Sequence, residues 1–161
     1  MPLNNKKKLE PANALQRLRD LCDRGEYCTS EVLEKMRKWG LTPSQSSNIV
    51  DLLKADRYID DARYARSLAY SKAMYSAWGK IKIRLYLIKK RITAHEIADA
   101  LAEIDEEAYE KRLADVLYAK ARQLGEEADT YEGRSKIYRY GVSKGYESTL
   151  VASIIRKTRY S

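Results

Sequence analysis

Apolar residues recur along this chain in three rounds that share one internal spacing. Val32, Met36 and Leu41 align with Ile83, Leu87 and Ile92 at an offset of 51 residues, and these align with Ile137, Gly141 and Tyr146 at an offset of 54. Further on, Val50 and Leu53 align with Leu101 and Ile104, and both Val50 and Leu101 align with Ile155. Units this small cannot bury a sufficient core alone, so they stack and cover one another's faces.

Stop and start signals divide each round into three helices. In the first, Ala12 to Asp23 places Leu15, Leu18, Leu21 and Cys22 on one face, and Gly25 ends it. Thr29 or Ser30 is placed to cap a second helix that runs to Trp39 and ends at Gly40. Thr42-Pro43 opens a third, carrying Ile49, Val50, Leu52 and Leu53. The second round begins at Asp60 or Asp61, with Tyr64, Ala65, Leu68 and Ala69 facing inward, and closes with a helix capped by Thr93 that carries Ile97, Leu101 and Ile104. The third begins near Asp105 with Leu113, Val116, Leu117 and Leu124. It continues from Arg134 to Lys144, stops at Gly145 and ends with Leu150, Val151, Ile154 and Ile155. Seven Gly, three Pro and the lack of any Val/Thr-rich segment agree with helices throughout. The expected fold is all-α, an elongated stack of three tandem three-helix repeats at residues 12–56, 57–104 and 105–161, behind a flexible basic tail at 1–11.

One stretch opposes this reading. In "WGKIKIRLYLIKKRI", residues 78–92, Ile81, Ile83, Leu85 and Leu87 alternate with Lys82, Arg84 and Tyr86, as in a half-buried strand. Its counterparts "SEVLEKMRKWGL" and "SKIYRYGVSKGY" do not alternate, and both close on a glycine. Residues 79–90 are therefore predicted to be helical. Ile83 and Leu87 then form the stripe common to all rounds, while Ile81, Leu85 and Ile88 form a second stripe more than about 100° away. A middle unit has two neighbours, so the second stripe is assigned to packing between units, with an exposed docking ridge as the alternative.

Charge is segregated as well. The formal net charge is +8, which suggests a polyanionic partner or a strongly acidic protein surface. Tyr64 to His95 holds eight Lys/Arg and no acid, Glu96 to Gly133 twelve acids against four bases, and Arg134 to Ser161 seven bases and one acid. On a helix, Lys80, Arg84 and Arg91 share one edge and Lys82 and Lys89 another, and Arg63, Arg66 and Lys72 extend the block from the preceding helix. Tyr70, Tyr75, Trp78 and Tyr86 interleave with these bases, as on surfaces that stack on bases, although aromatics at helical spacing more often belong to a core. The second basic block, Arg134, Lys136, Arg139, Lys144, Arg156, Lys157 and Arg159, is expected at the far end of the stack. Two basic ends on an elongated body suit a filament.

Nothing points to catalysis. There is no GxxxxGK[ST] phosphate loop and no GxGxxG, and the single histidine, His95, follows the Thr93 cap as a surface residue would. Asp60-Asp61 and Glu106-Glu107 sit at helix starts, where carboxylates cap and complement the dipole. Cys22 and Cys28 suit a reducing compartment, and neither a zinc set nor a membrane-length apolar run nor a secretory signal is found. A cytoplasmic monomer without cofactor or metal is expected.

The segment "YIDDARYARSLAYSKAMYSAWGKIKIRLYLIKKRI" resembles the RecX family of bacterial recombination regulators. Asp60, Asp61, Arg63, Tyr64 and Ala65 match its acidic pair, Arg, aromatic and Ala; Gly79, Lys80, Ile83, Leu87, Lys90 and Ile92 match its second half. Tyr64 stands where Phe is usual, and Arg91 replaces the glycine before Ile92, leaving the tight helix ending there without its usual residue. The resemblance implies a modulator of the RecA–single-stranded DNA filament that restrains ATP hydrolysis, strand exchange and filament growth. On that expectation the contacts to RecA or DNA are Arg63, Arg66, Lys80, Lys82, Arg84, Lys89, Lys90, Arg91, Lys136 and Arg139. A direct, sequence-indifferent nucleic-acid binder is the second reading, and a helical adaptor for an acidic protein the third.

Overall fold

The computed structural model describes residues 8–161. Nine α-helices occur among them and no strand: α1 (Pro11–Arg24), α2 (Thr29–Lys38), α3 (Pro43–Ala55), α4 (Asp61–Tyr75), α5 (Lys80–Lys89), α6 (Ala94–Ala102), α7 (Glu106–Leu124), α8 (Tyr131–Ser143) and α9 (Ser148–Lys157). A short 3-10 turn, Gly125–Asp129, joins α7 to α8. Most of the tail expected at 1–11, residues 1–7, lies outside the described residues. Of the remainder, the Leu9 amide donates to the Trp39 carbonyl at 3.0 Å, and helix α1 already begins at Pro11. The chain divides into two compact units, Met1–Tyr64 and Ala65–Ser161, with the boundary inside α4.

In the first unit, Ala14, Leu18, Val32, Met36, Leu41, Ile49, Val50, Leu53 and Ile59 form the core, and α1 and α2 each pack on α3. Each fully buried Leu or Ile contributes about 1.5–3 kcal/mol relative to exposure, so this set outweighs every polar contact in the unit. The start of α2 corrects the sequence reading. Its N-cap is Cys28, whose amide donates to the Glu31 carboxylate at 3.1 Å, rather than Thr29 or Ser30. Thr29 is engaged elsewhere: its amide and hydroxyl donate to Asp61 Oδ1 at 2.8 and 3.0 Å. Asp60 therefore caps α4, accepting from the Arg63 amide at 3.0 Å, while Asp61 fastens α4 to α2.

In the second unit, Ile83, Leu87, Ile97, Leu101, Leu113, Leu117, Ile137, Val151 and Ile155 are buried, α5 packs on α6, and α8 packs on α7 and α9. Thr93 caps α6, as expected, by accepting from the Glu96 amide, and α7 is capped by Asp105, which accepts from the Ala108 amide, with Glu106 and Glu107 in its first turn. Gly141 stands where the other rounds carry Met36 and Leu87. A Cβ there would come within 2.9 Å of both Leu117 and Val151, so α8 has no room for a side chain at that point.

The aligned positions of the three rounds, from Val32, Met36 and Leu41 through Ile137, Gly141 and Tyr146, are all buried. Their helix ends match too. Gly40, Arg91 and Gly145 adopt positive φ of 84°, 58° and 91°, and the following amides of Leu41, Ile92 and Tyr146 reach back to the carbonyls of Met36, Leu87 and Gly141. This is the Schellman ending, and α5 makes it with arginine in the glycine position.

Candidate functional site

Helix α5 begins at a crowded junction. Gly79 lies so close to the turn after α8 that a Cβ would sit 2.1 Å from the Gly145 carbonyl carbon and oxygen and the Tyr146 nitrogen. The Gly79 amide donates to the Lys144 carbonyl at 2.9 Å, and the Ile81 amide donates to the Gly145 carbonyl at 3.1 Å. The Lys80 amide, between them, donates to the Tyr109 hydroxyl at 2.9 Å, and that hydroxyl donates to Glu147 Oε2, also at 2.9 Å. Burial pushes the Tyr109 phenol well above its ordinary pKa, and raises Tyr146, whose ring lies 5.3 Å away, to about 12. The first amides of α5, which lack helical partners, are thus satisfied by a neighbouring turn and a buried phenol.

The buried stripe of α5 is Ile83 and Leu87, as expected. The second stripe is not a packing surface. Ile81, Leu85 and Ile88 are 42%, 56% and 53% exposed, and the junction of the second and third rounds is made by Gly79, Gly145 and Tyr109 instead. The alternative, an exposed ridge, is what the structure contains. Glycines that let two backbones meet leave no gap for a stripe of large aliphatic side chains to fill.

The expected contact residues fall into distinct situations. Arg84, Lys89 and Arg91 are exposed, and none of them forms an ion pair among the described residues. Lys82, on the same edge as Lys89, and Lys90 are half-buried, with Lys82 Nζ 4.4 Å from the Trp78 ring centroid and Lys90 Nζ 5.4 Å from that of Tyr86. Trp78 and Tyr86 meet edge to face at 5.7 Å, and Lys72 Nζ lies 4.7 Å from the Trp78 centroid. A row of alternating ammonium groups and rings therefore runs from Lys72 to Lys90, a pattern that offers both charge and stacking faces. Tyr70 and Tyr75 are exposed and pack on each other.

Lys80 departs from the expected surface edge. Its side chain is only 15% exposed, pairs with Glu106 and lies over the Tyr109 ring at 4.7 Å. Its small exposure follows from its position in the crowded first turn. Arg63 lies in the first unit, where Nε donates to both oxygens of Glu26 at 3.0 Å and the Nη groups donate to the Arg57 and Tyr58 carbonyls at 3.2 and 3.3 Å. The hydrogen bond that Arg63 donates to Glu26 raises its pKa, and the side chain serves as a clamp on the end of α3. Arg66 is exposed and pairs loosely with Glu103 at 3.8 Å. In the second basic block, Lys136 pairs with Glu127 at 2.7 Å and Arg139 is exposed, its Nε 3.4 Å from the Ser135 carbonyl oxygen. Arg134 is engaged internally, donating to the Ile155 and Thr158 carbonyls at 2.6 and 2.8 Å.

Sequence reasoning missed two features. Tyr109 gave no signal as a cap for a helix that begins 29 residues earlier. In the first unit, Lys8, Arg17, Lys38 and Trp39 line an open cleft of about 740 Å³, with the Arg17 guanidinium 5.1 Å from the Trp39 ring centroid. Among the described residues no group of His, Cys, Asp and Glu is arranged to hold a metal, His95 is exposed beside Asp99, and no helix is long and apolar enough to cross a membrane.

Comparison with known proteins fits this geometry. A family model described as "RecX, second three-helix domain" matches residues 60–101, which include α5 and its basic edges. The chain is 28% identical over 128 residues to the regulatory protein RecX of Clostridium beijerinckii, and 24% identical over 127 residues to that of Geobacillus kaustophilus. The crystal structure of RecX from Lactobacillus salivarius superposes with a TM-score of 0.82 at 21% identity, covering 96% of this chain and 97% of that one. The chain is thus similar in sequence to RecX proteins and matches their fold. A second crystal structure of a regulatory protein RecX gives a TM-score of 0.81, also at 21% identity, over 92% of this chain and 73% of that one. The chain spans 59% of the length of the Clostridium RecX proteins it matches. The all-helical fold of this chain is thus similar to that of the solved RecX structures, and the basic helix α5 lies within the segment that the second-domain model matches.

Proposed function

We propose that this chain is a non-enzymatic, cytoplasmic regulator that binds the RecA–single-stranded DNA filament and restrains RecA ATPase and strand exchange. The observation that carries the proposal is the surface of α5. Arg84, Lys89 and Arg91 stand in solvent without ion pairs among the described residues, in a stretch from Tyr64 to His95 that contains no acid. An unneutralised basic face is attracted to polyphosphate and to acidic protein surfaces. Contacts on this reading are Lys82, Arg84, Lys89, Lys90 and Arg91, with Arg66 beside them; Lys136 and Arg139 form a separate basic place on α8. Lys80 and Arg63, held by Glu106 and Glu26, support the fold and contribute less.

The test is RecA ATPase on single-stranded DNA with the protein titrated in. Progressive loss of hydrolysis is expected, and unchanged hydrolysis at saturating protein defeats the proposal. The K82E/K89E/K90E variant should bind the filament at least tenfold more weakly; equal affinity sinks the assignment of this face.

A second reading, direct binding to single-stranded nucleic acid, is favoured by the row of Lys72, Trp78, Lys82, Tyr86 and Lys90. Equal affinity for bare DNA and for RecA-coated DNA would decide in its favour.

A further inference from the structure

The ridge of Ile81, Leu85 and Ile88 is left unused by phosphate binding. We infer that this ridge is a protein-docking element that seats in an apolar groove with an acidic rim on the RecA protomers of the filament; the inference rests on the filament reading above. The three residues follow the i, i+4, i+7 spacing of anchors by which a helix enters a groove. They are exposed on the side of α5 turned away from Ile83 and Leu87, which are fully buried. Single exposed aliphatics are ordinary, but three adjoining ones on a ten-residue helix form a continuous apolar strip that costs solubility and adds nothing to the core.

What surrounds the strip selects its occupant. Helical geometry places Arg84 along one border and Lys89 along the other, and Arg91 stands at the end. Among the described residues none of the three forms an ion pair, so the surface complementary to the strip is apolar in the middle and carboxylate-lined at the edges. A second copy of this chain fits poorly, because a two-fold contact sets Arg84 and Lys89 against their own equivalents. Nucleic acid fits poorly as well: bases stack on aromatic faces, and the rings of α5 and its leading loop, Tyr86 and Trp78, pair with Lys90 and Lys82 beyond Lys89, off the strip itself. A bilayer requires a broader apolar face than three side chains on a helix whose opposite face is core. Helix α5 thus separates two tasks, with the ridge and its borders meeting protein and the lysine–aromatic edge meeting DNA.

The experiment compares the L85S/I88S and K82E/K90E variants of the full chain with the wild type. Fluorescence anisotropy measures affinity for bare single-stranded DNA and for the RecA-coated strand, and circular dichroism checks folding. L85S/I88S should lose at least tenfold in affinity for the coated strand while staying within twofold on bare DNA, and L85M/I88L should restore filament binding. K82E/K90E should weaken both. Wild-type affinity of L85S/I88S for the filament overturns the inference and leaves the filament reading standing. Equal loss on bare DNA overturns it in favour of a nucleic-acid contact, and a wild-type dimer in sedimentation that L85S/I88S abolishes overturns it in favour of self-association. If the wild type fails to bind the filament at all, the underlying reading falls and the partner named here falls with it.

Discussion

Arg91 occupies a backbone conformation that glycine adopts freely and that other L-residues reach at a cost of about 1–2 kcal/mol. The two equivalent positions, Gly40 and Gly145, carry the glycine. Replacing Arg91 by Gly relieves the strain but restores backbone freedom to the unfolded chain, so the net gain should be about 0.5–1 kcal/mol, read as a higher urea midpoint with unchanged slope. The same variant should bind the filament more weakly, since a solvent-facing guanidinium disappears. A stability gain without any change in binding removes Arg91 from the contact set. Asp129 is a second informative residue. It accepts hydrogen bonds from the Ser161 hydroxyl, from the Tyr160 and Ser161 amides at 3.1 and 2.8 Å, and from Arg134 at 3.3 Å. These bonds, the Ser161 hydroxyl first, lower its pKa from 3.8 to about 2. A carboxylate depressed on folding stabilises fully above its unfolded pKa and loses that contribution as pH falls through its folded one. Residues 158–161 should therefore loosen between pH about 4 and about 2, ahead of the helices, which amide exchange at Tyr160 and Ser161 would detect; D129N should abolish the dependence.

At the scale of elements, the junction around Gly79 is more demanding than any single helix. Its φ of −73° suits any residue, so glycine is needed there for space alone. Gly79→Ala places a methyl group against the backbone of Gly145 and Tyr146, where no rotamer change relieves it. The expected cost is about 2–3 kcal/mol, seen as a lower melting temperature, and loss of less than about 0.5 kcal/mol contradicts the close approach. The same junction explains what was legible beforehand. Helix starts at Thr42, Thr93 and Asp105 and ends at Gly40 and Gly145 are local, set by residues within one turn, and the sequence displayed them. The α2 start was misread because Thr29 answers to Asp61, a partner 32 residues away. Ile81, Leu85 and Ile88 were misassigned for a related reason: periodicity reports that a face is apolar but not what lies opposite it. The basic block itself was plain from charge segregation, whereas the withdrawal of Lys80 depends on Glu106 and Tyr109, which arrive from the next round.

For the whole molecule, net charge and its placement govern association. Formal charge of +8 gives a long-range attraction for a polyanion that salt screens. Each phosphate neutralised on a single strand contributes about 0.7 to the slope of log affinity against log salt, so K82E/K90E should reduce that slope by about 1.4. A slope that does not change assigns these lysines to protein instead of DNA. The apolar ridge should leave the slope alone, because burying aliphatic surface releases no counterions.

The contact between Gly79 and Gly145 also bears on how the chain comes off the ribosome. Helix α5 emerges early, but its first amides find their acceptors in Lys144, Gly145 and Tyr109, all of which are synthesised later. Until residue 145 clears the exit tunnel, the first amides of α5 are without these acceptors. The second unit is thereby committed to folding late and as a whole, and a nascent chain interrupted before the α8–α9 turn would display the basic, apolar α5 segment without the fold that holds it in place.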